Sequence, residues 1–143
     1  MTVARILKEK GRDVLTTQPH RTLQEAAQLL GSKGVGAVVV SDAAANVLGI
    51  LSERDVVRAI GARGALALED PVSRHMTARV TTVGEEASID SVMASMTNGR
   101  FRHVPVVENG RLVGIVSIGD IVKRHVDALH HETDALREYI ASA

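Results

Sequence analysis

The chain has 143 residues, 45% hydrophobic and 24% charged, the size and balance of a globular unit with a substantial core. Lys plus Arg and Asp plus Glu both number 17, and the resulting zero formal charge weighs against a general nucleic-acid binder. There is no cysteine for disulfides, thiol redox chemistry or a Cys-ligated zinc. No run approaches the roughly 18 apolar residues of a membrane span, and the charged stretch from Arg5 to Asp13 is unlike a signal peptide, so a cytoplasmic protein is expected.

Val3 to Lys10 reads as a short helix ended by Gly11, and Val14-Leu15-Thr16-Thr17 as a brief strand closed by Gln18-Pro19. Thr22 with Glu25 forms a capping box, after which Leu23, Ala26, Ala27 and Leu30 fall on one helical face. Ala37 to Val40 is a continuous apolar strand, Ser41 to Asn46 a turn, and Val47 to Leu51 a second strand. Ser52 then caps a helix carrying Val56, Val57 and Ile60, and Gly61 to Pro71 reads as a connection.

The order then repeats. Val80 to Val83 predicts a strand, and Ile89, Val92, Met93 and Met96 a helical face. Val104 to Val107 and Arg111 to Val116 predict a hairpin, whose Asn109-Gly110 favours a tight turn. After Ser117 comes a last helix, on which Val122, Val126, Leu129, Thr133, Leu136 and Ile140 alternate by four and three. That seam is too short for a coiled-coil assignment, and an amphipathic helix packing on the module or on a second copy is expected. The fold class is therefore α+β: two β-α-β-β-α repeats, 1–67 and 68–126, packed by pseudo-twofold symmetry, with a C-terminal helix over 127–143. Repeats of about 65 residues bury their faces poorly alone and need each other.

The duplication is clearest where strand meets helix. Gly49-Ile50-Leu51-Ser52-Glu53-Arg54-Asp55 returns 65 positions later as Gly114-Ile115-Val116-Ser117-Ile118-Gly119-Asp120. Locally, Ser-x-x-Asp is a capping box and needs no ligand. A helix N-terminus also attracts phosphate. A carboxylate can accept two hydrogen bonds from a ribose diol, and Val- and Ile-lined strands suit a flat base. With Phe101 and Tyr139 the only aromatics, a base is expected to lie mostly between aliphatic side chains and backbone.

Together with Ala37-Val38-Val39-Val40 and His103-Val104-Pro105-Val106-Val107, the doubled motif resembles a pair of CBS domains, the tandem unit called a Bateman module, over about Val3 to Arg124. The resemblance implies two clefts for adenosine nucleotides such as AMP, ADP, ATP, NAD(H) or S-adenosylmethionine, each mixing residues of both repeats. One cleft would join Ile115, Ser117 and Asp120 to Thr16, Thr17, Val35, Gly36 and Ala37. The other would join Ser52, Arg54 and Asp55 to Thr81, Thr82, Arg102, His103 and Val104. Asp55 and Asp120 would bind ribose, and the Ser and Thr hydroxyls would reach phosphate. The clefts should differ: Arg54 stands where the second repeat has Gly119, and Arg102-His103 where the first has Val35-Gly36, so the cleft of Asp55 should favour the longer phosphate chain.

No Gly-x-Ser-x-Gly elbow, phosphate loop with its Lys, or His-Glu-x-x-His is present, so neither an enzyme nor a catalytic cofactor is expected. His125, His130, His131, Glu132 and Asp134 read as a solvated face, and no metal site is expected. The expected protein is a regulatory nucleotide sensor, a homodimer acting through a protein partner or an oligomeric change, with no membrane or nucleic-acid partner. The alternatives are an interaction module with vestigial clefts or a nucleotide-processing enzyme.

Overall fold

The computed structural model describes residues 1–142. Its elements in chain order are α1 (Val3–Lys10), β1 (Thr16–Thr17), α2 (Leu23–Lys33), β2 (Ala37–Ser41), β3 (Val47–Ser52), α3 (Glu53–Arg63), a 3-10 helix (Gly64–Glu69) and α4 (Val72–His75). The second half supplies α5 (Ile89–Gly99), β4 (His103–Glu108), β5 (Arg111–Ser117) and α6 (Ile118–Ser142).

The boxes at Ser52 and Ser117 form as expected, whereas at Thr22 only the cap forms, the Glu25 carboxylate meeting Arg21 at 3.4 Å instead of the Thr22 N–H. Glu25 N–H donates to the Thr22 hydroxyl at 3.2 Å, and Asn109 and Gly110 both take positive φ in the β4–β5 turn, at 52° and 77°. β2 is apolar from Ala37 to Val40 because both its faces are covered, and Val38, Val39 and Val40 are fully buried. Each such side chain contributes about 1.5–3 kcal/mol of hydrophobic stabilisation.

Three elements depart from expectation. α3 runs through Gly61 and ends at Gly64, which takes φ 69°, and the following 3-10 helix buries Ala67 completely. Asp70 closes this segment, accepting hydrogen bonds from Arg63 Nε at 2.9 Å and meeting His75 Nε2 at 2.8 Å. The His75 contact, opposed by burial and reinforced by Arg63, holds the Asp70 carboxyl below its ordinary value. The two predicted early strands are also shorter than expected. β1 is two residues, parallel to Val39 and Val40, and the second half keeps only one bridge, Val83 to Val106. Proline explains the second loss. In the first half Val39 N–H donates to Leu15 O at 3.1 Å. Its counterpart is Pro105, which has no N–H, so the ladder stops before it reaches Thr81.

The apolar side chains form two clusters. One joins Leu23, Leu30, Val38, Val40, Leu51 and Val72. The other joins Val3, Ile6 and Leu7 of α1 to Ile89, Val92, Met96, Val104, Val116 and Ile121. The N-terminal helix thus packs into the core of the second half, just as 71–76 packs into that of the first. The backbone contacts match: Thr2 bridges Ser88 as Pro71 bridges Thr22, and Val3 N–H donates to Ala87 O as Val72 N–H does to Arg21 O. The core of each half is thus completed by the segment that precedes the other half.

Candidate functional site

The β2–β3 and β4–β5 ladders pair Ala37 with Ser52 and His103 with Ser117. Glu53 N–H donates to Gly36 O at 2.9 Å, and Ile118 N–H donates to Arg102 O at 2.8 Å. Arg102 and His103 therefore answer to Gly36 and Ala37, one position on from the sequence-based matching with Val35 and Gly36. The first hairpin carries one residue more, so the repeat offset is 66 before it and 65 after it.

At the first strand-to-helix junction, Ser52 N–H and Ser52 Oγ donate to Asp55 Oδ2 at 2.8 and 3.0 Å, and Asp55 N–H donates back to Ser52 Oγ at 3.3 Å. The box uses one carboxylate oxygen. Among the described residues no protein donor meets Oδ1, so the capped carboxylate keeps one free acceptor oxygen.

Beside it lies a cavity of about 240 Å³, bounded by Ile50, Ser52, the first turns of α3, the stretch Thr77 to Thr81, and Arg100 to His103. Five arginines line it: Arg54, Arg58, Arg79, Arg100 and Arg102, against the carboxylates of Glu53 and Asp55. None of the five pairs with a carboxylate among the described residues. A neutral chain has thus gathered an uncompensated positive field at a helix N-terminus. Phe101, which packs against the core of the second half, also lines the cavity.

Arg100 is held there at a conformational cost. It is the left-handed C-cap of α5, with φ 56°, where the matching residue after α2 is Gly34, with φ 65°. An arginine in that backbone state costs about 1 kcal/mol relative to glycine. Strain of this kind tends to persist at functional positions.

His103 sits at the seam of the two halves. A Cβ at Gly36 would stand 3.3 Å from its Cε1, a tight contact that would shift the ring by a few tenths of an ångström. Burial pushes the imidazole below its ordinary value; Glu53 and Asp120 oppose that shift, and Lys10 and Arg102 reinforce it. The sign follows. Folding favours the neutral ring, a stabilisation complete above the ordinary value of about 6.5 and lost as pH falls through the lowered folded value. A polyanion favours imidazolium, so its binding should take up a proton and tighten as pH falls from 8 towards 6. Calorimetry in buffers of different ionisation enthalpy would measure this uptake, and His103→Gln should abolish it.

Of the other residues the resemblance implied, Thr81 lines the cavity, whereas Thr82 is exposed outside it and Val104 is fully buried in the core. Gly36 lies in the Asp55 cavity, Val35 is 40% exposed and Ala37 is buried. Thr16 and Thr17 border a different groove, with Gln18, Arg21 and Asp42. They are not brought to Ser117 and Asp120, and the residue that answers to Thr81 is Leu15.

At the second junction Ser117 N–H donates to Asp120 Oδ2 at 2.9 Å, and Asp120 N–H donates to Ser117 Oγ at 3.2 Å. Lys10 Nζ donates to the same Oδ2 at 2.7 Å and to Ile115 O at 3.0 Å. Burial alone would raise the Asp120 carboxyl, but the Lys10 and Ser117 bonds together hold it below its ordinary value.

Sequence reasoning missed Arg58, Arg79 and Arg100. Arg58 was legible, one helical turn beyond Arg54. Arg79 and Arg100 arrive from other elements and had no local signal.

Fold and junctions define a class: a duplicated α+β protein whose halves meet beside two capped helix N-termini. The profile of the CBS domain matches residues 3–62 and 72–127, and the chain belongs to the CBS-domain family. It is similar to the crystal structure of a CBS-domain containing protein from Agrobacterium tumefaciens, at 51% identity and TM-score 0.83, covering 85% of this chain and 91% of that one. It also resembles a CBS domain pair solved with 5′-methylthioadenosine and S-adenosyl-L-methionine, at 25% identity and TM-score 0.81, covering 90% and 98%. A third is a CBS domain protein from Pyrobaculum aerophilum complexed with AMP, at 28% identity and TM-score 0.75, covering 84% and 89%.

Proposed function

We propose that this chain is a cytoplasmic regulatory protein whose Asp55 cleft binds an adenosine nucleotide, with preference for a longer phosphate chain. The observation that carries this reading is the convergence of an acid with one free oxygen and five unpaired arginines around one cavity. Asp55 takes the ribose diol, Ile50, Val80 and Phe101 flank the base, and the arginines with the α3 N-terminus receive phosphate. The relatives solved with AMP, 5′-methylthioadenosine and S-adenosyl-L-methionine support the adenosine part.

Output passes through a partner or a change of assembly. Val57 and Val122, at matching positions of α3 and α6, are 69% and 50% exposed, and Leu129, Leu136 and Ile140 continue the apolar seam outward. A second copy is the occupant expected, and sedimentation with and without ATP would measure it.

A thermal-shift panel of AMP, ADP, ATP, NAD+, NADH and S-adenosylmethionine tests the reading, with stabilisation rising from AMP to ATP. No shift with any of them would favour an interaction module with vestigial clefts. Arg100→Gly separates charge from fold: it should raise stability by about 0.5–1 kcal/mol. The same change should weaken ATP about tenfold while leaving AMP less affected.

A further inference from the structure

The duplication supplies an internal control for the two junctions. Met76 Sδ would lie 2.7 Å from a Cβ on Gly49, and Leu7 Cδ2 would lie 2.6 Å from one on Gly114. The segments preceding the two halves are therefore equivalent at this point, and beyond it they part. After α4 the chain leaves the helix, and Thr77 exchanges backbone bonds with Ile50 at 2.9 and 3.0 Å. α1 instead stays helical to Lys10. Counting on from Leu7 and Met76, Lys10 answers to Arg79, which lines the Asp55 cavity without pairing to Asp55.

The added helical turn carries the Lys10 ammonium onto Asp120 and the Ile115 carbonyl. The pair is partly buried, at 29% and 22% side-chain exposure. Neighbouring contacts pin the same end of α1: Glu9 pairs with Arg124 of α6, and Arg12 with Glu85.

Resting on the nucleotide reading of the Asp55 cleft, we infer that Lys10 latches the Asp120 junction, so that the chain takes one nucleotide and Lys10 is the residue that decides it. A ribose diol offers two neutral donors. A diol can meet Oδ1 of either aspartate, but to use Asp120 Oδ2 as well it must displace a charge-assisted bond from a partly exposed ammonium, which disfavours the exchange. At Asp55 the second oxygen, Oδ2, is held only by the neutral Ser52 N–H and hydroxyl, so no ammonium has to be displaced.

Calorimetric titration of AMP and of ATP tests the latch. The full chain should bind one equivalent. Lys10→Met, which keeps the aliphatic stem, should bind a second at least about tenfold more tightly than the wild type does. Lys10→Met with Asp120→Ala should return to one, and melting curves of all three would confirm folding. Two comparable events in the wild type, one of them lost in Asp120→Ala, would overturn the latch while the nucleotide reading stands. So would a single event in folded Lys10→Met. No binding to any of the proteins would overturn the nucleotide reading and the latch with it.

Discussion

Replacing Asp55 by Asn should weaken ATP about a hundredfold, because two hydrogen bonds from a diol to a charged acceptor are each worth about 1.5–3 kcal/mol when fully made. The same substitution disturbs the Ser52 box, in which Oδ2 accepts from both Ser52 N–H and Ser52 Oγ. Loss of a cap costs about 0.5–2 kcal/mol of stability, far from enough to unfold a domain of this size. Isothermal titration and thermal melting on the same sample therefore separate the two roles. A melting point a few degrees lower with unchanged ATP affinity would leave Asp55 as a cap alone.

The second large effect concerns α1. Leu7 is 1% exposed and fills the space above Gly114, where a Cβ would stand 2.6 and 2.8 Å from its two methyl carbons. Leu7→Ala should cost about 2–5 kcal/mol, the range for a buried leucine truncated in a core that relaxes only partly. Gly114→Ala alone overpacks the same place and should also destabilise, by about 1–3 kcal/mol. Combined, the added methyl enters the space the leucine vacated, so the double variant should be less destabilised than the two single costs together, by about 1 kcal/mol. Urea unfolding of the four proteins completes the cycle. Strict additivity would show that the two side chains do not share this contact.

Both effects bear on how far the chain could be read in advance. The cap at Thr22, the capping boxes at Ser52 and Ser117, the Asn109-Gly110 turn and the apolar strands were legible because each depends on residues within a few positions of one another. The doubled motif was legible for the same reason, and with it the family. The early strand of the second half was over-read. Its apolar residues look like a strand, but whether Thr81 is paired depends on whether residue 105, more than twenty positions later, has an N–H to donate.

What the amino-acid order determined by itself was local and periodic: which segments are helix or strand, where they are capped, that the unit occurs twice, and that Ser-x-x-Asp closes each copy. Tertiary structure decided what faces each aspartate. It brought Arg79 and Arg100 from separate segments to Asp55, and it carried α1 across the molecule so that Lys10 lies on Asp120. Two junctions alike in sequence thereby acquire different surroundings, unpaired arginines around one aspartate and a bonded lysine on the other. Hydrogen bonds and helical periods act over a few residues and leave a trace in spacing, whereas a charge acts on whatever packing places beside it, from any distance along the chain.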